Sequence, residues 1–367
     1  MRFQAEQGLV KISGRTLFRD GVRYLGWSGS AVSFRFRGKR AEAQLLSNPA
    51  DVEAHLLCRI AVIVRDEFSG RESRRTYMLR ERMTTLCLYE SEEEKTVTVT
   101  LMKYSEAPFA YCGIAWIETD AALLPPPAEK KLKLEIIGDS ITCGYGVEAE
   151  NELVPFRTDT ENPELSYSLR LAKLLDADVQ LVSWSGNGIV SHYVEETAEA
   201  PSDTDLMPEI YPWTDYSCER QLLKEAAASG DASPEEEEAL ERWNFSAFVP
   251  ELVLINLGTN DCSWCKDIAE RKQNFKAEYK KFLQLIRKLN PASSVLSVLG
   301  TMDQRLIEEI RQAVKESAKE WGDGKLHFLE LPPQEPSDGY GSDWHPSAET
   351  HKKTAEILEK AIREILG

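Results

Sequence analysis

The sequence has no Lys/Arg cluster of useful length, no stretch approaching about 18 apolar residues, and no repeated cysteine pair at metal-ligand spacing. Each absence removes a class of partner or structure. With a formal net charge of −17 over 367 residues, neither nucleic acid nor an anionic membrane finds a basic surface, and a neutral substrate fits better. No membrane-spanning helix is expected. Seven cysteines (Cys58, Cys87, Cys112, Cys143, Cys218, Cys262 and Cys265) form an odd, scattered set in a chain too long to need staples, so reduced thiols are expected. Cys262 and Cys265 make a lone CxxC without a second ligand pair, and neither a metal nor another cofactor is expected. The opening MRFQAEQGLVKISGRT lacks the apolar core and cleavage site of a secretory signal. A cytoplasmic protein is the expectation, or a secreted one if a leader has been removed.

Apolar residues at 42% and charged residues at 29% are enough for a folded, soluble core, and the length favours two domains. The first part reads as short alternating segments: Leu9 to Ile12, Val22 to Trp27, Ala31 to Arg37, Glu42 to Leu46, Cys58 to Val64, Thr76 to Leu79, Thr84 to Tyr89, Lys95 to Leu101 and Tyr111 to Ile117. Short strands at this spacing, with no convincing helix among them, predict an antiparallel β-sandwich of jelly-roll type over residues 1–124.

Character changes at Leu124-Pro125-Pro126-Pro127, where three prolines stiffen a surface connection. From 125 to 367, apolar runs (Leu132 to Ile137, Val179 to Trp184, Leu252 to Leu257, Val295 to Leu299, Leu326 to Leu331) alternate with helix-period stretches (Ser166 to Leu175, Phe275 to Leu289, Met302 to Trp321, Ala348 to Leu366). Such alternation predicts an α/β domain, a parallel sheet covered by helices on both faces. The Pro-, Asp- and Glu-rich segment from Ala198 to Phe245 interrupts it. It reads as an insertion with one helix near Glu219 to Ala228, placed to roof the carboxyl edge of the sheet. Within it, the acidic run Glu235 to Glu238 reads as a solvated helix start following Ser233-Pro234.

Four segments carry chemistry. Strand Leu132 to Ile137 runs into Gly138-Asp139-Ser140, which puts a hydroxyl just past the carboxyl end of a central strand, where open α/β sheets keep their ligands. Ser185-Gly186-Asn187-Gly188 follows a second strand, and its glycines let main-chain N–H groups approach a ligand closely. Gly258-Thr259-Asn260-Asp261 follows a third. The Asn260 amide can donate to a developing oxyanion, while Asp261 suits a turn capping the next helix. Asp343-Trp344-His345-Pro346 precedes the last helix, and Pro346 forces His345 onto an extended segment. Each alone is also an ordinary turn or cap; four in this order are not accidental.

Together they resemble the signature blocks of the SGNH, or GDSL, hydrolases. The added sandwich, with Gly14-Arg15-Thr16 and Gly26-Trp27-Ser28-Gly29-Ser30, and the run Gly138-Asp139-Ser140-Ile141-Thr142-Cys143-Gly144-Tyr145-Gly146 are similar to carbohydrate esterase family 2. The likeness spans nearly the whole chain, except about Glu219 to Arg242. It implies a flavodoxin-like catalytic domain and a serine esterase that removes acetyl groups from plant-derived oligosaccharides, such as xylo- or manno-oligosaccharides. Ser140 would be nucleophile and His345 base; the N–H groups of Ser140 and Gly186 and the Asn260 side chain would form the oxyanion hole. Gly188 is the alternative to Gly186.

The superfamily usually spaces its acid and histidine as Asp-x-x-His, whereas Asp343 stands two residues before His345. On an extended segment residues two apart share a side, so Asp343 can orient the imidazole; a backbone carbonyl or Asp338 are the alternatives. Trp344, Tyr193 and Trp213 are candidates to stack on sugar rings. His55, His192, His327 and His351 read as structural or exposed.

Overall fold

Strands whose apolar residues fall at alternate positions build the first half of the protein. Its structure, a computed structural model, describes residues 1–229 and 240–367; the run Glu235 to Glu238 lies outside the described residues. The chain divides into two units, one of Met1–Glu129 with Arg157–Asp159 and Trp213–Trp243, the other of Lys130–Phe156, Thr160–Pro212 and Asn244–Gly367.

The first unit is one antiparallel sheet: β1 (Arg2–Phe3), β2 (Lys11–Ser13), β3 (Leu17–Arg19), β4 (Val22–Leu25), β5 (Ala31–Leu46), β6 (Arg59–Asp66), β7 (Glu72–Met78), β8 (Met83–Lys103), β9 (Cys112–Thr119) and β10 (Leu123–Leu124). The strand order is β3-β4-β9-β5-β8-β6-β7, with β2 and β10 beside β5 and β1 beside β9. Two strands are longer than the sequence suggests, because β5 and β8 each run through a charged middle that reads as a break. Their pairing slips between Gly38 and Arg40, so the buried positions of β5 change parity, from Phe34 and Phe36 to Ala41, Ala43 and Leu45. The slip lets both halves of the strand face one apolar core.

Helix α4 (Tyr216–Ser229), expected over the catalytic sheet, instead packs with this first unit. Its hydrogen bonds explain why. The buried Glu219 carboxylate accepts from Arg19 at 2.5 Å, Glu225 accepts from the Tyr111 hydroxyl at 2.9 Å, and Trp27 Nε1 donates to the Thr214 carbonyl at 2.9 Å.

The second unit is a five-stranded parallel sheet of β11 (Leu132–Gly138), β12 (Ala177–Ser183), β13 (Leu252–Asn256), β14 (Ser294–Leu299) and β15 (Leu326–Glu330), in the order β12-β11-β13-β14-β15. This is flavodoxin-like order. Its helices are α1 (Ser140–Cys143), α2 (Tyr167–Leu174), α3 (Met207–Ile210), α5 (Thr259–Cys265), α6 (Ala269–Leu289), α7 (Ile307–Trp321) and α8 (Ala348–Leu366). Leu134, Ile136, Leu252, Leu254, Leu296 and Val298 share a core with α2 and α8. The intervening Val253, Ile255 and Val295 are equally buried, as parallel strands covered on both faces must be. Chain order reverses beside β11, and the carboxyl ends of β11 and β13 open a crevice there. Among the described residues no helix is long and apolar enough to cross a membrane.

Candidate active site

Asp139 keeps extended backbone (φ −117°, ψ −150°) and caps α1, its carboxylate accepting from the Ile141 N–H at 3.0 Å. That cap ends β11 sharply and makes Ser140 the first helical residue, facing the crevice. His345 arrives from the far end of the chain, on extended backbone between a single 3-10 turn (Ser342–Trp344) and α8. The two side chains meet: His345 Nε2 lies 2.8 Å from Ser140 Oγ. Half-buried, the imidazole has its pKa pushed down to about 4 by desolvation, against the pull of the Ser342 carbonyl and of Asp343. It is therefore neutral at pH 7 and able to take a proton.

The group on its other nitrogen is not a carboxylate. His345 Nδ1 lies 3.0 Å from the Ser342 carbonyl, which fixes the tautomer with the proton on Nδ1. Asp343 turns away and accepts from the Tyr145 hydroxyl at 2.9 Å and the Phe156 N–H at 3.3 Å. The expectation for Asp343 assumed extended backbone; in fact Asp343 (φ 51°) and Trp344 (φ 63°) are left-handed, so residues two apart do not share a side. Asp338 is equally unsuited, its carboxylate being paired with Lys353 at 2.6 Å.

Opposite the histidine stand the candidate oxyanion donors. Asn260, on the first turn of α5, lines the crevice, but its amide nitrogen already donates to Asp139 Oδ2 at 3.1 Å and to the Asn187 carbonyl at 2.8 Å. Asp261 does not cap α5 as expected. Fully buried, it gathers the N–H groups of Ile189, Val190 and Ser191 at 2.9, 2.7 and 3.2 Å, and so anchors the loop that follows Gly186. Burial raises its pKa to about 6, the three N–H groups opposing that rise. Gly188 is pressed against this anchor, where a Cβ would meet the Ser191 carbonyl and, at 2.6 Å, Asp261 Oδ2. Gly186 (φ +77°) has open space around it and lines the crevice, whereas Gly188 does not line it.

The crevice holds about 1150 Å³, and Ser140, Tyr145, Gly186, Tyr193, Asn260 and His345 are among its walls. Exposed Tyr193 is tied to the donor loop through its N–H to the Gly186 carbonyl, 2.8 Å. Trp344 is exposed and leans on Tyr340, with ring centroids 5.1 Å apart, away from the lining. Trp213 falls in the first unit, under the Arg242 guanidinium at 4.4 Å. Tyr145, which had no marker beyond the resemblance, stacks on His345 with centroids 4.0 Å apart. His351 is buried and neutral, its Nδ1 accepting from the Tyr167 N–H at 3.1 Å, with its pKa pushed down to about 3 by desolvation. The thiols of Cys262 and Cys265 bond to different carbonyls, and burial raises both pKa values, Cys265 to about 12.

Two family models match the chain: GDSL-like Lipase/Acylhydrolase over residues 134–358 and Carbohydrate esterase 2 N-terminal over residues 12–127. The chain belongs to the GDSL-like lipases and acylhydrolases, and it carries the N-terminal domain of carbohydrate esterase 2. These are serine esterases. The chain is 30% identical over 353 residues to the cellulase/esterase CelE of Acetivibrio thermocellus, covering 93% of this chain but 37% of that longer relative. It is 26% identical over 370 residues to an acetylxylan esterase / glucomannan deacetylase of Cellvibrio japonicus, covering 97% of this chain and 89% of that one. A family two carbohydrate esterase from Clostridium thermocellum, solved in complex with cellohexaose, superposes with a TM-score of 0.81 at 28% identity, over 98% of this chain and 99% of that one.

Proposed function

We propose that this protein removes O-acetyl groups from plant-derived oligosaccharides, of the xylo- or manno- class, through an acetyl-serine intermediate. The observation that carries the reading is the 2.8 Å contact between Ser140 Oγ and a neutral His345 whose other nitrogen is anchored. Ser140 Oγ attacks the acetyl carbonyl carbon while its proton passes to His345 Nε2. The carbonyl oxygen becomes an oxyanion held by the N–H groups of Ser140 and Gly186. Asn260 joins them by yielding its longer bond, the 3.1 Å contact to Asp139. Collapse breaks the ester bond, and the departing sugar oxygen takes the proton from His345. Water, activated by the same imidazole, then releases acetate and restores Ser140.

The Ser342 carbonyl does here the orienting work usual for a carboxylate, which makes the pair a Ser140–His345 dyad. A saccharide in the crevice accords with the activities for which the relatives are named, and the exposed Tyr193 on the crevice wall supports a contact with its ring. The test is acetate release from acetylated xylo-, manno- and glucosaccharides by wild type and Ser140→Ala, with an acyl series of p-nitrophenyl esters. The expected result is preference for acetate and loss of kcat to below about a thousandth in the variant, its melting temperature unchanged. Preference for butyrate or longer acyl groups would replace this reading with an esterase of other acyl specificity. Retained turnover in Ser140→Ala would remove the nucleophile assignment.

A further inference from the structure

Asp343 stands beside the base yet bonds elsewhere, and the place it bonds to forms a second layer of the site. The Tyr145 ring is stacked twice: on Phe156, with centroids 3.8 Å apart and planes 12° apart, and on His345, at 4.0 Å and 29°. Two near-parallel rings that close cannot share a face, so Tyr145 is sandwiched between them. A single carboxylate oxygen, Asp343 Oδ2, holds this stack, accepting from the Tyr145 hydroxyl and from the main-chain N–H of Phe156. The turn carrying both Asp343 and His345 is itself tied down, Ser342 N–H to the Gly146 carbonyl at 3.1 Å and Asp343 N–H to the Glu152 carbonyl at 3.2 Å.

We infer that Tyr145 is a positioning residue for the histidine: its ring sets the plane in which Nε2 meets Ser140, and Asp343 acts on the base through Tyr145. The inference rests on His345 being the base of the proposed reaction. A hydrogen bond from the imidazole N–H to Ser342 fixes one point of the ring but leaves rotation about that axis open; a face-to-face contact removes it. When the proton arrives from Ser140 the ring becomes a cation lying over an aromatic face, an attraction realised only after transfer begins. The carboxylate accepting the hydrogen bond of the phenol O–H enriches that face in electrons. The charged and titratable groups around the imidazole are Asp343 on its own turn, Tyr145 after α1, and the buried neutral His351 on α8.

The experiment measures kcat, KM and the pH dependence of kcat/KM on p-nitrophenyl acetate for Tyr145→Leu, Tyr145→Phe, Asp343→Asn and the Tyr145→Phe/Asp343→Asn double variant, with circular dichroism on each. Tyr145→Leu should lower kcat about tenfold with KM little changed, and move the acid limb upward because water reaches the imidazole. Tyr145→Phe keeps the stack and should lose only about two- to threefold, as should Asp343→Asn, and the double variant should lose no more than either alone. Losses that multiply in the double variant would overturn the inference, since Asp343 would then act without Tyr145. So would wild-type kcat and an unmoved acid limb in Tyr145→Leu. If Tyr145→Leu fails to fold, the three remaining variants decide by the same multiplication. His345→Ala with activity intact would instead sink the base assignment itself.

Discussion

Lowering the pH titrates the one group whose neutrality the proposed chemistry needs. Below its pKa His345 carries a proton on Nε2 and cannot accept another from Ser140, so activity falls as pH falls. An unperturbed histidine, with a pKa of about 6.5, would be neutral in only about 3% of molecules at pH 5. With the value near 4 that burial imposes, about 90% are neutral at the same pH. The gap is about thirtyfold in kcat/KM at pH 5, wide enough to read directly. The assay is the kcat/KM profile on p-nitrophenyl acetate from pH 3.5 to 8, followed by acetate release below pH 6, where nitrophenol absorbs poorly. Asp261, raised to about 6, titrates in the same window and could impose a limb of its own by loosening the loop after Gly186. Asp261→Asn separates the two. A limb at about 6.5 that survives in Asp261→Asn would refute the argument, because it would mean the imidazole is as well hydrated in the site as in water.

Asn260→Ala should lower kcat about 10²- to 10³-fold if the amide reaches the oxyanion; a loss under about tenfold would leave it the lesser role of tying Asp139 to Asn187. Gly188→Ala should lower both the melting temperature and kcat, because its Cβ meets the Asp261 anchor. Gly186→Ala, with open space and only its positive φ to strain, should cost about 1 kcal/mol of stability; equal melting shifts in the two would contradict the contrast. Tyr193→Ala should reduce kcat/KM on acetylated saccharides far more than on p-nitrophenyl acetate, and equal losses on both would speak for packing.

Much of this site is legible in the sequence because its parts sit at chain positions with a fixed geometric meaning. A residue directly after an apolar strand in an α/β sheet lies at the carboxyl edge, and Ser140, Gly186 and Asn260 are all placed that way. Asp343 is not legible, because its direction depends on two left-handed residues that are neither Gly nor Asn, held by main-chain bonds to Gly146 and Glu152. Tyr145 is invisible for a different reason. Stacking on His345 joins residues about 200 positions apart, and no periodicity encodes it. In the β unit, the Glu-rich stretch at 90–94 separates two short segments in the sequence, yet β8 spans it as one strand, its pairing with β5 interrupted there and resumed at Glu90. Composition marks an insertion but does not encode the surface that receives α4, which is that of the first unit.

The receiving surface bears on how far this protein is modular. A fragment ending at Glu129 would keep the strands β1 to β10 but lose Glu219 and Glu225, leaving the Arg19 guanidinium without the carboxylate 2.5 Å away and the Tyr111 hydroxyl without its acceptor. It would also leave Trp27, a large and wholly buried side chain, with no carbonyl for its indole N–H. The β unit is thus completed by a stretch of chain encoded after β11 and β12, and cutting at the proline-rich join would not release a finished domain. Grafting it onto another protein requires the segment from Trp213 onward to travel with it.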